Sequence, residues 1–379
     1  MDNLTHSLVG LAAAKAGLGR RSAYATFVCV AAANLPDGDV VAMAGGPAFY
    51  LQHHRGLTHS IVGVLALAVA FPLLFVAGER LWARLRGREP RASLKWLLVC
   101  SLLLSASHPL LDWTNSYGVR PLLPWDGRWF YGDLLFIVDP WVWLTLGGAC
   151  FLLAPARWRA AAWGLLALVI TFVFFRVASQ PEAGVPAGAL VLWVAGLAAL
   201  LALRVKGVGA RLGGRAAAAA LALVAAYCGA LWFVQARARG AAEVVARELA
   251  TRGGERVLRV AATPVLADPR AWRCLAEAER STTRFDLTLG RASAEEARNV
   301  LSYAEPSGEE AQAVARASEG EAARVLLDFA RFPVARARRE GPGAWLVQFA
   351  DLRYTEPGAR SRVGGFALDV PVAPGGAGR

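Results

Sequence analysis

Apolar runs broken by short polar or basic stretches dominate the first 236 residues, and their lengths predict a helical membrane domain. Segments at 4–17 and 22–34 are each about 13 residues long, short of the roughly 20 needed to span a bilayer. They read as a tight helical hairpin. Longer runs follow at 59–78, 94–111, 134–154, 158–178, 185–204 and 215–236, so about eight helices are expected. Between the second and third, Pro36 and Gly38 break the helical pattern, and residues 34–39 read as a turn. Residues 113–133 form a loop rich in Trp, Tyr, Pro and Asp, the aromatic composition of a bilayer interface.

Beyond residue 236 the pattern changes. Residues 241–251, 292–300 and 309–329 favour helix, while 256–262, 283–289, 344–352 and 365–370 alternate like strands. The tail after Pro371 reads as disordered. The chain therefore divides into an α-helical polytopic membrane domain at 1–236 and a small α+β domain at 237–379.

Composition agrees: 56% of the 379 residues are hydrophobic. The net charge of +12 raises nucleic-acid binding, but most of the excess lies in the first part. Residues 1–236 hold 19 Lys+Arg against 10 Asp+Glu, and 237–379 hold 22 against 19. No basic stripe interleaved with aromatics occurs, so nucleic acid is excluded as a partner. With the N-terminus outside and eight crossings, the inner loops carry 15 basic residues and the outer ones before 237 carry 4. That is the positive-inside pattern, and it sets the C-terminal domain outside. The N-terminus lacks a basic region before its apolar run and reads as retained chain rather than a secretory signal. Four of the five cysteines lie in apolar segments, and there is no disulfide framework.

The same topology gathers every histidine at the outer face. His53, His54 and His59 fall within seven residues, His6 and His108 end other apolar segments, and Asp37, Asp39 and Asp112 occupy matching positions. Imidazole and carboxylate are the usual ligands of zinc and other first-row divalent ions. His108 and Asp112 are four apart and share a helical face if Pro109 is absorbed. His59 begins a helix and can face the outer water. We assign His6, Asp39, His59, His108 and Asp112 to a divalent metal, zinc first, with manganese or magnesium as alternatives. Either Asp37 or Asp39 can be the ligand and the other the base; Asp37, His54 and Arg55 are taken as the catalytic groups. Arg55, Arg120 and Arg128 are candidates to grip an anionic substrate, and Asp126, Asp133 and Asp139 to support the ligands.

Four stretches together carry a resemblance: Leu4-Thr-His-Ser, Asn34-Leu-Pro-Asp-Gly-Asp, His54-Arg-Gly-Leu-Thr-His-Ser and Ser107-His-Pro-Leu-Leu-Asp-Trp-Thr-Asn-Ser-Tyr-Gly. Their order and spacing resemble the bacterial inner-membrane family described as predicted metal-dependent hydrolases, the YdjM type. The His-Arg-Gly-x-Thr-His-Ser element is also similar to one in zinc-dependent phospholipase C-like proteins. The resemblance implies hydrolase chemistry in a bacterial inner membrane, with the C-terminal domain periplasmic. Together with the metal chemistry of the site, it supports our leading reading, hydrolysis by metal-activated water of a lipid-linked ester or phosphoester at the outer membrane face. Two other classes compete. A transporter requires ionisable groups near the bilayer midplane, and the span centres hold almost none; an envelope scaffold with a structural polar cluster requires no metal.

Overall fold

The computed structural model describes residues 1–180, 184–359 and 365–373. The elements of its first part are helices, joined by loops. Asn3–Ala16 (α1) is capped by Asp2, whose carboxylate accepts from the Thr5 amide, and ends at Gly17. Ala25–Asn34 (α2) then gives way to 3₁₀ winding over Leu35–Gly45, where the sequence reading expected a turn. Pro36 and Gly38 do end the α-helix, but the chain keeps coiling more tightly. Pro47–His53 (α3) and a 3₁₀ turn, Leu57–His59, lead into Ile61–Leu85 (α4) and Leu94–Trp113 (α5). His59 thus precedes its helix by two residues rather than opening it. Pro140–Leu152 (α6), Arg157–Ala178 (α7), Ala187–Val205 (α8), Val208–Leu212 (α9) and Gly214–Arg252 (α10) complete the series.

All eight expected apolar segments are helical. Six stretches, Ala25–Gly45, Ile61–Leu85, Leu94–Trp113, Arg157–Ala178, Ala187–Val205 and Gly214–Arg252, are long and apolar enough to cross a membrane. Pro140–Leu152 is a shorter apolar helix. Large side chains such as Leu74, Leu168 and Phe172 point outward at 68–73% exposure, which suits a lipid surround and not water.

The chain forms two compact units. The first comprises Met1–Asp39, Arg55–Phe233 and Pro264–Pro269; the second comprises Val40–His54, Val234–Thr263 and Arg270–Arg379. The core of the first is small-residue packing, with Ala12, Val28, Cys29, Ala32, Leu97 and Cys100 all fully buried across α1, α2 and α5. Without a strong hydrophobic drive between helices in lipid, close backbone approach supplies the contact. Gly10 marks the tightest such place, since a Cβ there would lie 2.6 Å from the Cys29 carbonyl oxygen and 2.9 Å from Val30 Cα.

In the second unit, Val257–Val265 (β1), Asp268–Ala278 (β2), Ser281–Thr288 (β3) and Arg298–Ala304 (β4) make one sheet in sequential order. Gly308–Ser318 (α11) and Glu321–Phe329 (α12) follow, then a sheet of Pro333–Gly341 (β5), Ala344–Asp351 (β6) and Ala367–Val372 (β7). The helix expected at 292–300 is not formed. Its last residues enter β4 instead, because pairing such as Thr282↔Tyr303 and Arg284↔Leu301 overrides local helix preference. The single helix expected at 309–329 is broken at Gly320. Strands β2 and β5 were not foreseen, the latter because Arg336, Arg338 and Arg339 hide its alternation. Pro371 and Val372 lie within β7, while 374–379, the rest of the expected tail, fall outside the described residues.

The Gly10 contact yields a test. Gly10→Ala should force α1 and α2 apart and cost about 1–3 kcal/mol, seen as a lower unfolding midpoint in detergent, whereas Gly78→Ala, whose Cβ meets nothing within 4 Å, should leave it unchanged.

Candidate metal centre

Helix α5 delivers two donors from one face. It continues through Pro109 to Trp113, so His108 and Asp112 sit one turn apart, both fully buried. His59 arrives on the 3₁₀ turn before α4. Ser60 caps that helix by accepting from the Gly63 amide at 3.1 Å. A Cβ at Gly63 would stand 1.8 Å from the Leu57 carbonyl oxygen, so only glycine lets this turn fold down onto α4. Asp37 comes from the 3₁₀ stretch after α2.

These four side chains converge. The Nε2 atoms of His59 and His108 are 3.1 Å apart. Asp112 Oδ2 lies 3.2 Å from the first and 3.4 Å from the second. Asp37 Oδ1 lies 3.5 Å and 3.4 Å from the same two atoms. One ligand atom from each residue lies within 4.8 Å of the other three. A tetrahedral zinc ion with ligands at about 2.0–2.1 Å would set its donors roughly 3.3–3.4 Å apart. Five of the six donor–donor distances, at 3.1–3.5 Å, are therefore close to those of such a shell.

The remaining atoms of these residues are committed elsewhere, which aims the donors inward. His108 Nδ1 faces the Ala33 carbonyl at 2.7 Å. His59 Nδ1 faces Asp39 Oδ2 at 3.3 Å and Thr58 Oγ1 at 3.0 Å. Both arrangements fix the ring and leave Nε2 for the centre, as outer partners of metal-bound histidines do. Asp37 accepts from Asn3 Nδ2 through its other oxygen, at 2.8 Å. Asp112 Oδ1 meets Arg55 Nη2 at 2.9 Å and the Met1 amino group. Its Oδ2, buried and aimed at both imidazoles, receives no hydrogen bond among the described residues. An orphaned carboxylate oxygen in that position fits a cation. Burial works against protonation of His59, but contacts with Asp112, Asp37 and Asp39 outweigh it and raise its pKa to about 10.

Several expected residues take other posts. Asp39 stands behind His59 instead of at the centre, also accepting from the Arg55 amide at 2.9 Å. Asp37, expected as base, faces both imidazoles from the open side. Its side chain is 14% exposed, while those of His59, His108 and Asp112 are closed off. His6 lies one layer out, stacked on His108 with ring centroids 3.7 Å apart and Nε2 3.4 Å from Asp112 Oδ1. His54 falls in the second unit, stacked on Tyr50. Arg55, expected to grip substrate, is buried, adopts a left-handed φ of 52°, and donates to Asp112, Asn115 and the Gly118 carbonyl. The cation is turned inward because Asp112 needs it there. Arg120 lies over the Trp129 ring at 4.5 Å, and Arg128 is exposed and paired with Asp126. Asp139 caps α6 and accepts from Tyr227.

Sequence reasoning missed Asn115, Asn3, Gly63 and the Ala33 carbonyl. Asn115 had a signal, since it lies three residues beyond Asp112 within a recognised motif; a main-chain carbonyl has none.

A protein from Bacillus subtilis (strain 168) described as "Uncharacterized protein YfhP" is 28% identical over 168 residues, covering 42% of this chain and 47% of that protein. The chain thus matches about half the length of this curated relative. No solved structure matches. The family resemblance carried by the four sequence motifs holds: residues 1–183, which include all four side chains of the cluster, match the family model described as YdjM inner membrane protein.

Proposed function

We propose that this protein is a membrane-bound metal-dependent hydrolase that cleaves a lipid-linked ester or phosphoester. The carrying observation is the spacing of 3.1–3.5 Å among His59, His108, Asp112 and Asp37, with Asp112 Oδ2 left unbonded. His59, His108 and Asp112 are the three closed donors, a two-histidine and one-carboxylate set like that of catalytic zinc sites. A divalent ion held there supplies the Lewis acidity that makes water nucleophilic near neutral pH.

Asp37, at the open edge, is the natural proton acceptor, and an ion held by the other three would keep its fourth position for water. It takes a proton from the attacking water, whose oxygen bonds to the carbonyl carbon or phosphorus. It returns that proton to the leaving oxygen as the ester bond breaks. Arg55 holds the closed side of the shell by fixing Asp112 through one oxygen. The loop bridged by Val119 and Phe130 presents Trp125, 80% exposed, and Arg128, which suits contact with a charged head group. The basic loop ends face the cytoplasm, and the metal end and the C-terminal domain face the periplasm.

Elemental analysis of purified protein should find stoichiometric divalent metal in the wild type and less than a tenth of it in His59→Ala and His108→Ala; equal content in all three would remove the site. Asp37→Asn should retain metal while losing at least about 100-fold in release of head groups from membrane lipids, the scale of a lost general base. Because a metal must displace the proton from His59, whose pKa is raised to about 10, apparent metal affinity should strengthen as pH rises. Titration from pH 6 to 8 should show a gain of about tenfold per unit.

A further inference from the structure

A second feature of the first unit lies among helices that supply none of the four side chains of the cluster. Helices α1, α6 and α8 run side by side in the same direction. At one end the Asp2 amide donates to the Ile137 carbonyl at 3.2 Å; at the other, Lys15 Nζ donates to the Leu153 carbonyl at 3.5 Å. Leu144 packs where Gly196 approaches, Leu200 where Gly148 does, and Arg204 reaches the Phe151 carbonyl at 2.6 Å. With α7 they enclose a cleft of about 530 Å³, lined by Leu8, Gly147, Phe151, Gly164, Leu197 and Leu200 among others, all its lining residues being apolar. That volume lies within the roughly 300–1,000 Å³ of small-molecule sites. Gly147 on α6 and Gly164 on α7 both border it, and a Cβ at either would meet nothing within 4 Å.

The three parallel helices finish together at a basic end. Arg204 lies over the ring of Phe151, a lining residue, at 5.0 Å. Its guanidinium donates to the carbonyls of Phe151, Leu152 and Ala154, and Lys15 donates to that of Leu153. Among the described residues neither cation meets a carboxylate. Capping the end of α6 explains those bonds, yet it uses three of the five guanidinium N–H groups and one of the three ammonium N–H groups. Arg204 stands over Phe151, which lines the cleft, and Lys15 reaches the same helix end two residues on. Two cations with donors to spare beside an apolar cleft match one occupant in both chemistry and position. The geometry points to a binding site for an anionic phospholipid, with an acyl chain in the cleft and its phosphate on Lys15 and Arg204. Basic pockets between membrane helices recognise acidic head groups in this way. A zwitterionic lipid would present its own cation to the same pair. This site is separate from the proposed hydrolytic centre and needs no turnover.

Native mass spectrometry of the full-length protein, released from nanodiscs of equimolar phosphatidylglycerol and phosphatidylcholine with identical chains, tests the assignment. The wild type should retain one lipid, with phosphatidylglycerol favoured roughly fivefold for each cation engaged. Gly164→Phe should abolish retention. Gly147→Leu, filling the same space from another helix, should do likewise, which guards against a folding defect in the first. Lys15→Gln should keep the lipid but lose much of the preference. Metal content should stay at the wild-type level in all three, because none of these residues touches the four side chains of the cluster. Equal retention of the two lipids by the wild type, no retained lipid, or unchanged retention in both glycine variants would each overturn the proposal.

Discussion

Two imidazole nitrogens held 3.1 Å apart, with a carboxylate oxygen on either side, are the constraint on which the N-terminal unit depends. Four such groups repel one another across so small a space unless something positive stands between them, a proton on His59 or a metal ion in its place. Burying carboxylates without a cation costs several kcal/mol per group. The protein meets part of that cost with Arg55, which neutralises Asp112 from its Oδ1 side while leaving Oδ2 turned to the histidines. The fold around the cluster makes sense as machinery for holding this arrangement. Helix α5 fixes two donors by its pitch, Gly63 lets the His59 turn descend, and Asp39 and the Ala33 carbonyl lock the outer ring nitrogens.

Arg55 shows how tightly the parts are linked. Its amide binds Asp39, which supports His59, and its guanidinium binds Asp112 and Asn115. One residue thereby joins the supports of two donors that are 53 positions apart in sequence. The left-handed backbone at Arg55 is unfavourable for a side chain of this size and persists because these bonds over-determine it.

Much of this was legible beforehand, for a physical reason. Apolar span lengths and loop charge are strong, local signals, and they sorted His6, Asp37, His59, His108 and Asp112 to one end of the helices. Those residues do cluster. What linear pattern could not supply was depth. Asp37 and Asp39 differ by two positions on a tight 3₁₀ coil, which turns one into the centre and the other behind His59. Nothing in their spacing distinguishes the two outcomes. Arg55 was taken for an exposed cation because the sequence does not show that Asp112 needs a partner. The C-terminal strands β2, β4 and β5 were obscured because strand identity there comes from cross-strand pairing, as in Arg336↔Gln348, rather than from alternation.

The pitch of α5 has a consequence for ion choice. His108 and Asp112 stand four residues apart on a packed helix whose neighbours Leu97, Cys100 and Leu104 are almost fully buried, so their separation cannot stretch without disturbing the bundle. The helix thus sets how far apart these two donors stand. A calcium ion, with six to eight oxygen ligands at about 2.3–2.6 Å, would need more and harder donors than the two imidazoles and two carboxylates gathered here.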